Sequence, residues 1–337
     1  MRFNIFYAHK DIPFGGGLQF LRALNKYLSK NGKFTLKDSP NDSTDLVLIN
    51  GGYKAPSVYL LPSEIENLKT HGYTSFIDLL IRTQSPDSKL SKIFDKFKTS
   101  LIPNILLRVF SKKDSPKIIH RVDGFRGHIY NSSTESNVIV NKHQMDIVQA
   151  KCMKLADFVI FQSHSSLRIA RKFGFKGKNF SVIHNGVDSN LFFPDTTVHW
   201  SPGDKMRILS VSWSDNLHKG FKEIADFSEL QDVDLTFIGN WNKDISKKNV
   251  KILPPMKQKQ LSEYYRNNHV LLFPSINESC PNTVLEALAS GLPVFYSKSG
   301  GTPEIAKDFG VCLKSDNNKN LEEMKINYNN FRDKILK

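Results

Sequence analysis

Cysteine is scarce in this chain. Cys152, Cys280 and Cys312 are the only three, far apart and without metal-ligand spacing. A zinc site or a disulfide framework is therefore not expected, and the odd count points to a reducing cytoplasm. Long apolar runs are missing too: none approaches the roughly 18–20 residues that span a bilayer. The opening MRFNIFYAHKDIPFGGG is charged too early for an export signal and reads as a first strand. No internal repeat or low-complexity tract occurs. Also lacking are a Gly-x-x-x-x-Gly-Lys-Ser/Thr loop, a serine-nucleophile elbow and a His/Cys cluster.

Acidic residues are under-represented in one half only. Residues 1–190 hold 28 Lys and Arg against 15 Asp and Glu, whereas 191–337 hold 19 against 18, so nearly all of the +14 net charge lies in the first half. Such a field suits phosphorylated substrates or anionic lipid. Nucleic acid would explain the charge but not the second half of the chain, and is not expected as a partner.

What is present is a rhythm of short apolar runs separated by helix-period segments, the pattern of parallel α/β architecture. Strands are expected at 3–8, 45–50, 117–123, 157–162 and 180–187, with helices at 18–32, 142–156 and 165–174. Segment 188–205, with Pro194, Pro202 and Gly203, reads as a linker. Strands then resume at 206–212, 234–239, 250–253, 270–275 and 293–297. The expected plan is an N-terminal Rossmann-like domain over 1–190, a C-terminal one over 191–317, and a final helix, 318–337, packing back on the first. Ligands of open α/β sheets bind at the carboxyl ends of strands, so two such sheets facing each other would share an interdomain cleft. Residues 89–113 depart from the plan. They place Leu90, Ile93, Phe94, Phe97 and Leu101 on one helical face with lysines mostly elsewhere, as in helices that lie on anionic membranes.

The most informative stretch is PSINESCPNTVLEALASGLPVFYSKSGGTPE, residues 274–304. A strand leads into a polar loop carrying Glu278, then a helix carrying Glu286, then another strand. Seven residues separate the two carboxylates, or about two helical turns. A carboxylate accepts both hydrogens of a vicinal diol. A helix N-terminus offers free N–H groups to a phosphate. Ser279 or Asn277 is expected to cap this helix, with Pro281 in its first turn, leaving the N–H groups of Asn282 and Thr283 for a phosphate oxygen. Diol, phosphate and diol in a row describe a sugar nucleotide. Lys219, after the strand MRILSVS, is placed to reach its diphosphate.

With the runs IHNGVDSNLFFP (183–194), SDNLHKGF (214–221), GLPVFYSKSGGTPE (291–304) and PFGGGLQFLRAL (13–24), the chain resembles retaining glycosyltransferases of family 4. The likeness covers most of the chain and is weakest over 53–116. It implies the α/β GT-B fold of two facing Rossmann-like doubly wound domains, with no metal and no cofactor beyond the nucleotide-sugar co-substrate. It gives the donor-sugar hydroxyls to Glu278, the ribose to Glu286 and the diphosphate to Lys219. His120, read as ending its strand, would touch donor sugar or acceptor, and the loop of Gly15, Gly16 and Gly17 would lie near the donor phosphate or the acceptor. The acceptor implied is a glycan or lipid-linked hydroxyl at the cytoplasmic membrane face. Where the family commonly has an arginine six residues before the lysine, this chain has Trp213.

Other readings are weaker. Phe20 replaces the third glycine of a dinucleotide fingerprint, although Asp38 stands about where its ribose acid would be. Asp123 and Arg126 are lesser candidates for the site. Asp232-Val233-Asp234 resembles a metal-binding Asp-x-Asp pair but reads as an acidic turn before a strand. Asn185-Gly186 reads as a structural turn. The donor base is expected to meet backbone near Leu253–Met256. A GT-B epimerase, a phosphorylase and a non-catalytic binder remain as alternatives.

Overall fold

A computed structural model describes residues 1–6, 16–37, 45–50, 117–125, 128–130, 138–140 and 144–337 of the chain. The basic segment 89–113, Gly15, Asp38 and Arg126 lie outside the described residues. The chain divides into two compact units, Met1–Ile129 with Ile139–Gln162 and Ser166–Ile183, and Tyr130–Val138 with Ser163–Ser165 and His184–Lys337.

The first unit is built on a six-stranded parallel sheet. In chain order its elements are β1 (Arg2–Phe6), α1 (Gly16–Lys30), β2 (Thr35–Lys37), β3 (Leu46–Asn50) and β4 (Lys117–Val122). A two-stranded ladder of β5 (His128–Tyr130) and β6 (Val138–Val140) comes next, then α2 (Gln144–Leu155), β7 (Phe158–Phe161), α3 (His164–Lys172) and β8 (Phe180–Val182). The strand order is β2-β1-β3-β4-β7-β8. Alternation along the strands separates two cores. Phe3, Ile5 and Leu48 pack with Leu21 and Leu28 of α1, while Val47, Ile49 and Ile118 pack with Cys152 of α2. Helices thus cover both faces, which is why the strands read as nearly continuous apolar runs.

The second unit contains β9 (Met206–Ser212), a single 3₁₀ turn (Leu217–Lys219), α4 (Phe221–Phe227), β10 (Val233–Gly239), β11 (Lys251–Leu253) and α5 (Gln258–Asn267). It continues with β12 (Val270–Phe273), α6 (Asn282–Ala289), β13 (Val294–Tyr296), α7 (Thr302–Ala306), β14 (Gly310–Cys312) and α8 (Asn317–Leu336). All strand pairs are parallel, in the order β11-β10-β9-β12-β13-β14. This is the doubly wound Rossmann order, with its switch point between β9 and β12. Met206, Ile208, Phe237 and Leu272 face Phe221, Ile224 and Phe227 of α4 and Leu321, Met324 and Tyr328 of α8. Leu209, Ile238, Leu271 and Phe273 face Tyr265 of α5, Val284 and Ala287 of α6, and Ile305 of α7. Each fully buried aliphatic contributes about 1.5–3 kcal/mol.

The segment 188–205 has no strand or helix, yet Phe192 and Trp200 are buried in the two cores of the second unit, whose longest continuous stretch is His184–Lys337. The last helix, α8, belongs to the second unit. Its apolar stripe Leu321, Met324 and Tyr328 fills the core of its own unit, where Tyr328 meets Trp200 edge to face at 5.9 Å.

Candidate functional site

The switch point of the second unit gathers the loops that leave β9 and β12, two adjacent parallel strands. Ligands of such sheets bind there, because the loops diverge to opposite faces and leave a crevice between them. The loop after β9 is tied down along its backbone. Asn240 Nδ2 donates to the Trp213 carbonyl (2.5 Å), Asn242 Nδ2 to the Asp215 carbonyl (2.8 Å) and Ser212 Oγ to the Ser214 carbonyl (2.8 Å). Asn216 caps the 3₁₀ turn that ends at Lys219 by accepting from the His218 N–H (3.0 Å).

The two loops are also joined to each other. The Ile276 N–H donates to the His218 carbonyl at 2.9 Å. Gly220 adopts φ +76°, and a Cβ there would lie 2.7 Å from Pro274 Cγ. Only glycine satisfies both the left-handed backbone and the close approach.

This zipper brings Lys219 and Glu278 together. The Lys219 ammonium donates to Glu278 Oε1, and Ser275 Oγ donates to the same oxygen at 2.9 Å. Among the described residues, Glu278 Oε2 has no hydrogen-bond partner. The two side chains remain 24% and 26% exposed, so the pair is accessible from solvent. Behind Glu278, Gly300 at φ +67° and Gly301 press against the loop, and the Gly301 N–H donates to the Glu278 carbonyl (2.7 Å). Asn277 takes a left-handed φ of 64°, and its N–H donates to Ser299 Oγ (3.0 Å).

Helix α6 begins two residues later than a Ser279 cap would start it. Pro281 is its N-cap, in extended backbone, and Asn282 is its first residue. No side chain caps it, neither Ser279 nor Asn277, because Asn277 is turned toward Ser299. Among the described residues, the N–H groups of Asn282 and Thr283 carry no hydrogen bond, as befits an uncapped helix start. Asn185 Nδ2 donates to Asn282 Oδ1 (2.8 Å) and to the Cys280 carbonyl (3.0 Å). The turn 185–186 therefore buttresses the helix start, a role its sequence did not reveal.

Glu286 lies just over one turn into α6 and is 7% exposed. Tyr265 donates its hydroxyl to Glu286 Oε2 at 3.2 Å. Burial pushes the Glu286 carboxyl up to about 7, against the lowering effect of hydrogen bonds from Tyr265 and Gln258. Burial and the neighbouring carboxylate hold the Tyr265 phenol well above its ordinary value.

Gly16 and Gly17 are the first two residues of α1 rather than part of a preceding loop. His120 does not end its strand. It is the fourth of the six residues of β4, is fully buried, and pairs in register with Ile49 and Val159. At the carboxyl end of β4, Asp123 Oδ1 accepts from Gln162 Nε2 (3.1 Å) and Arg121 Nη1 (3.4 Å). The Arg121 guanidinium is buried, donates to Asn50 Oδ1 (2.5 Å) and lies over the Phe20 ring at 3.9 Å. Asp232 and Asp234 stand at the amino end of β10, the sheet edge opposite to Lys219, and Asp232 is paired with Lys325 at 2.9 Å. Trp213 is 52% exposed. Leu253 and Met256, at and beyond the end of β11, pack against the second core.

Sequence reasoning passed over Ser275 and Tyr265. A serine three residues before Glu278 is a readable local signal, but nothing along the chain connects Tyr265 with Glu286.

Residues 214–329 match the family model of glycosyl transferases group 1. A D-inositol 3-phosphate glycosyltransferase of Streptomyces avermitilis is 41% identical over 59 residues, which is 18% of this chain and 13% of that protein. The match thus spans about an eighth of that relative's length. Among solved structures, sucrose-phosphate synthase from Thermosynechococcus elongatus superposes with a TM-score of 0.62 at 16% identity, covering 99% of this chain and 94% of that one. The Anabaena protein HepE in complex with UDP gives 0.58 at 12% identity, covering 99% and 92%. The fold is therefore α/β with two parallel-sheet Rossmann-like domains, as in GT-B glycosyltransferases.

Proposed function

We propose that this protein is a retaining glycosyltransferase of family 4, moving a sugar from a nucleotide-diphosphate sugar to a hydroxyl acceptor. One observation carries the reading. At the switch point of a Rossmann sheet, Lys219 on the β9 loop forms an accessible pair with Glu278 on the loop that leads to an uncapped helix start, with the buried Glu286 on that same helix. The match of residues 214–329 to glycosyl transferases group 1 supports it.

In this reading Glu278 Oε2 receives donor-sugar hydroxyls, while Lys219 and Ser275 orient the carboxylate through Oε1. Glu286 receives the ribose diol. The N–H groups of Asn282 and Thr283, with the Lys219 ammonium, take the diphosphate. As the bond from the anomeric carbon to the β-phosphate oxygen breaks, charge builds on the leaving diphosphate, and these donors stabilise it. The acceptor oxygen bonds to the same face of the sugar, and its proton passes to the leaving phosphate. The products are a glycoside and a nucleoside diphosphate. The resemblance also gives His120, buried within β4, a contact with donor sugar or acceptor. Lys219 and the helix donors supply the positive charge, so no metal is assigned to the reaction.

The acceptor class proposed is a glycan or lipid-linked hydroxyl in surface polysaccharide, lipopolysaccharide or glycolipid synthesis. The basic segment 89–113 would hold the protein to an anionic membrane at its cytoplasmic face. No helix among the described residues is long and apolar enough to cross a membrane.

The test is incubation with UDP-, GDP- and ADP-sugars and hydroxyl acceptors in EDTA, with the anomeric configuration of any product read by NMR. A glycoside that keeps the donor configuration is expected. Free epimerised sugar or a pyridoxal phosphate absorbance band would replace the reading with an epimerase or a phosphorylase. Binding without product would make the protein a nucleotide-sugar binder. Flotation with anionic liposomes tests the membrane part, and absence of binding at low salt would remove it.

A further inference from the structure

We propose that Tyr265 is a positioning residue for Glu286: its buried hydroxyl holds one carboxylate oxygen and so presents the other to the ribose diol of the donor. The inference rests on the ribose reading of Glu286 given above.

Tyr265 is fully buried on α5, with its ring edge to face against Phe192 at 5.6 Å. A phenylalanine would serve that core contact equally well. A buried hydroxyl is costly unless it is hydrogen-bonded, and the partners of this one are both on α6. They are Glu286 Oε2 at 3.2 Å and the Thr283 carbonyl at 3.3 Å. One O–H proton cannot serve both fully. An ionised carboxylate is the stronger acceptor, so the proton goes to Glu286 when Glu286 is charged. When Glu286 is neutral, the Thr283 carbonyl competes. The hydroxyl therefore fixes the carboxylate rotamer in the charge state that accepts a diol.

The surroundings make this bond matter. The groups acting on the Glu286 carboxyl are Tyr265 and Gln258, both from α5. Among the described residues no charged side chain acts on it from α5, α7, β12 or β13. Burial alone drives the carboxyl toward its neutral form, and the tyrosine hydroxyl opposes that drive. Without the hydroxyl, the group near neutral pH would be mostly protonated and would lose one of its two hydrogen bonds from α5, and a protonated carboxyl accepts poorly from a diol.

The experiment measures affinity for whichever of UDP, GDP and ADP stabilises the full chain most. It is run from pH 6 to pH 9 by calorimetry, alongside the 2′,3′-dideoxy form of the same diphosphate. The proteins are the native chain, Tyr265→Phe, Glu286→Gln and the double variant. Tyr265→Phe is expected to weaken the ribose nucleotide about tenfold at pH 7, with the loss shrinking as pH rises. The dideoxy nucleotide should bind both proteins equally. In the Glu286→Gln background Tyr265→Phe should have no further effect. A loss that is uniform across pH, that extends to the dideoxy nucleotide or that adds fully to Glu286→Gln would make Tyr265 merely structural, and native-like affinity would overturn the proposal outright. If Glu286→Gln itself leaves affinity unchanged, the ribose reading fails instead.

Discussion

The Lys219 ammonium rests against Oε1 of Glu278, 59 residues further along the chain, because β9 and β12 are neighbours in the sheet and their loops are joined at His218 and Ile276. The pair leaves Glu278 Oε2 open. It also stores the lysine charge beside the place where a diphosphate would sit.

Lys219→Ala should lower turnover about 100-fold or more, as loss of a transition-state donor does, with a smaller change in the donor Michaelis constant. The melting temperature should barely move, because an ion pair this exposed is worth under about 1 kcal/mol. A rise confined to the Michaelis constant would assign Lys219 to ground-state binding.

Glu286→Ala should weaken nucleoside diphosphate binding by about 2–3 kcal/mol, roughly 30- to 150-fold, through lost charged hydrogen bonds. Calorimetry checks this, and unchanged affinity would end the ribose assignment.

The same carboxyl predicts a pH dependence of folding. Its folded pKa, about 7, lies above the ordinary 4.5. Between those values the folded state binds the proton and the unfolded state does not, so stability declines as pH rises through this window and levels off above it. The amplitude is on the order of 3 kcal/mol. Glu286→Gln should flatten that slope in urea titrations of the ligand-free protein. Donor affinity should move oppositely, rising as the carboxyl ionises.

Gly300→Ala should destabilise the second unit by about 1–3 kcal/mol and abolish turnover. At φ +67° the new Cβ would sit 2.3 Å from the Glu278 carbonyl oxygen, so the loop itself must move. A thermal melt and a turnover assay report the two effects. Native-like values for both would mean that the loop is more yielding than its packing implies.

Trp213→Arg restores a cation where the resembled family commonly has one. UDP affinity is expected to rise about fivefold in low salt, and the gain should fade in about 0.5 M salt, where the Debye length is only a few ångströms. No gain at any ionic strength would place the diphosphate away from the β9 loop.

Much of the fold was legible because its signals are local. The runs MRILSVS, DLTFIG and VLLF alternate apolar residues over a few positions and become β9, β10 and β12 with little change of limits. Glu278, Glu286 and the helix between them share one stretch of chain, so their chemistry could be read in order. The short strands β2 and β14 went unread, since three residues hold too little pattern to stand out. The expected cap of α6 failed because Ser299, more than twenty positions beyond Asn277, bonds that residue and turns it away from the helix start.

By itself, then, the sequence determined the alternation of strands and helices, the charge imbalance and the diol-phosphate-diol grammar of 274–304. Each of these depends on residues within a few turns of one another. Tertiary structure alone decided that Lys219 meets Glu278, that Tyr265 meets Glu286, that α8 packs in its own unit and that His120 is buried. Those outcomes depend on strand order and on which faces the helices cover. Burial of apolar surface from the whole unit sets both, and no segment carries that information on its own.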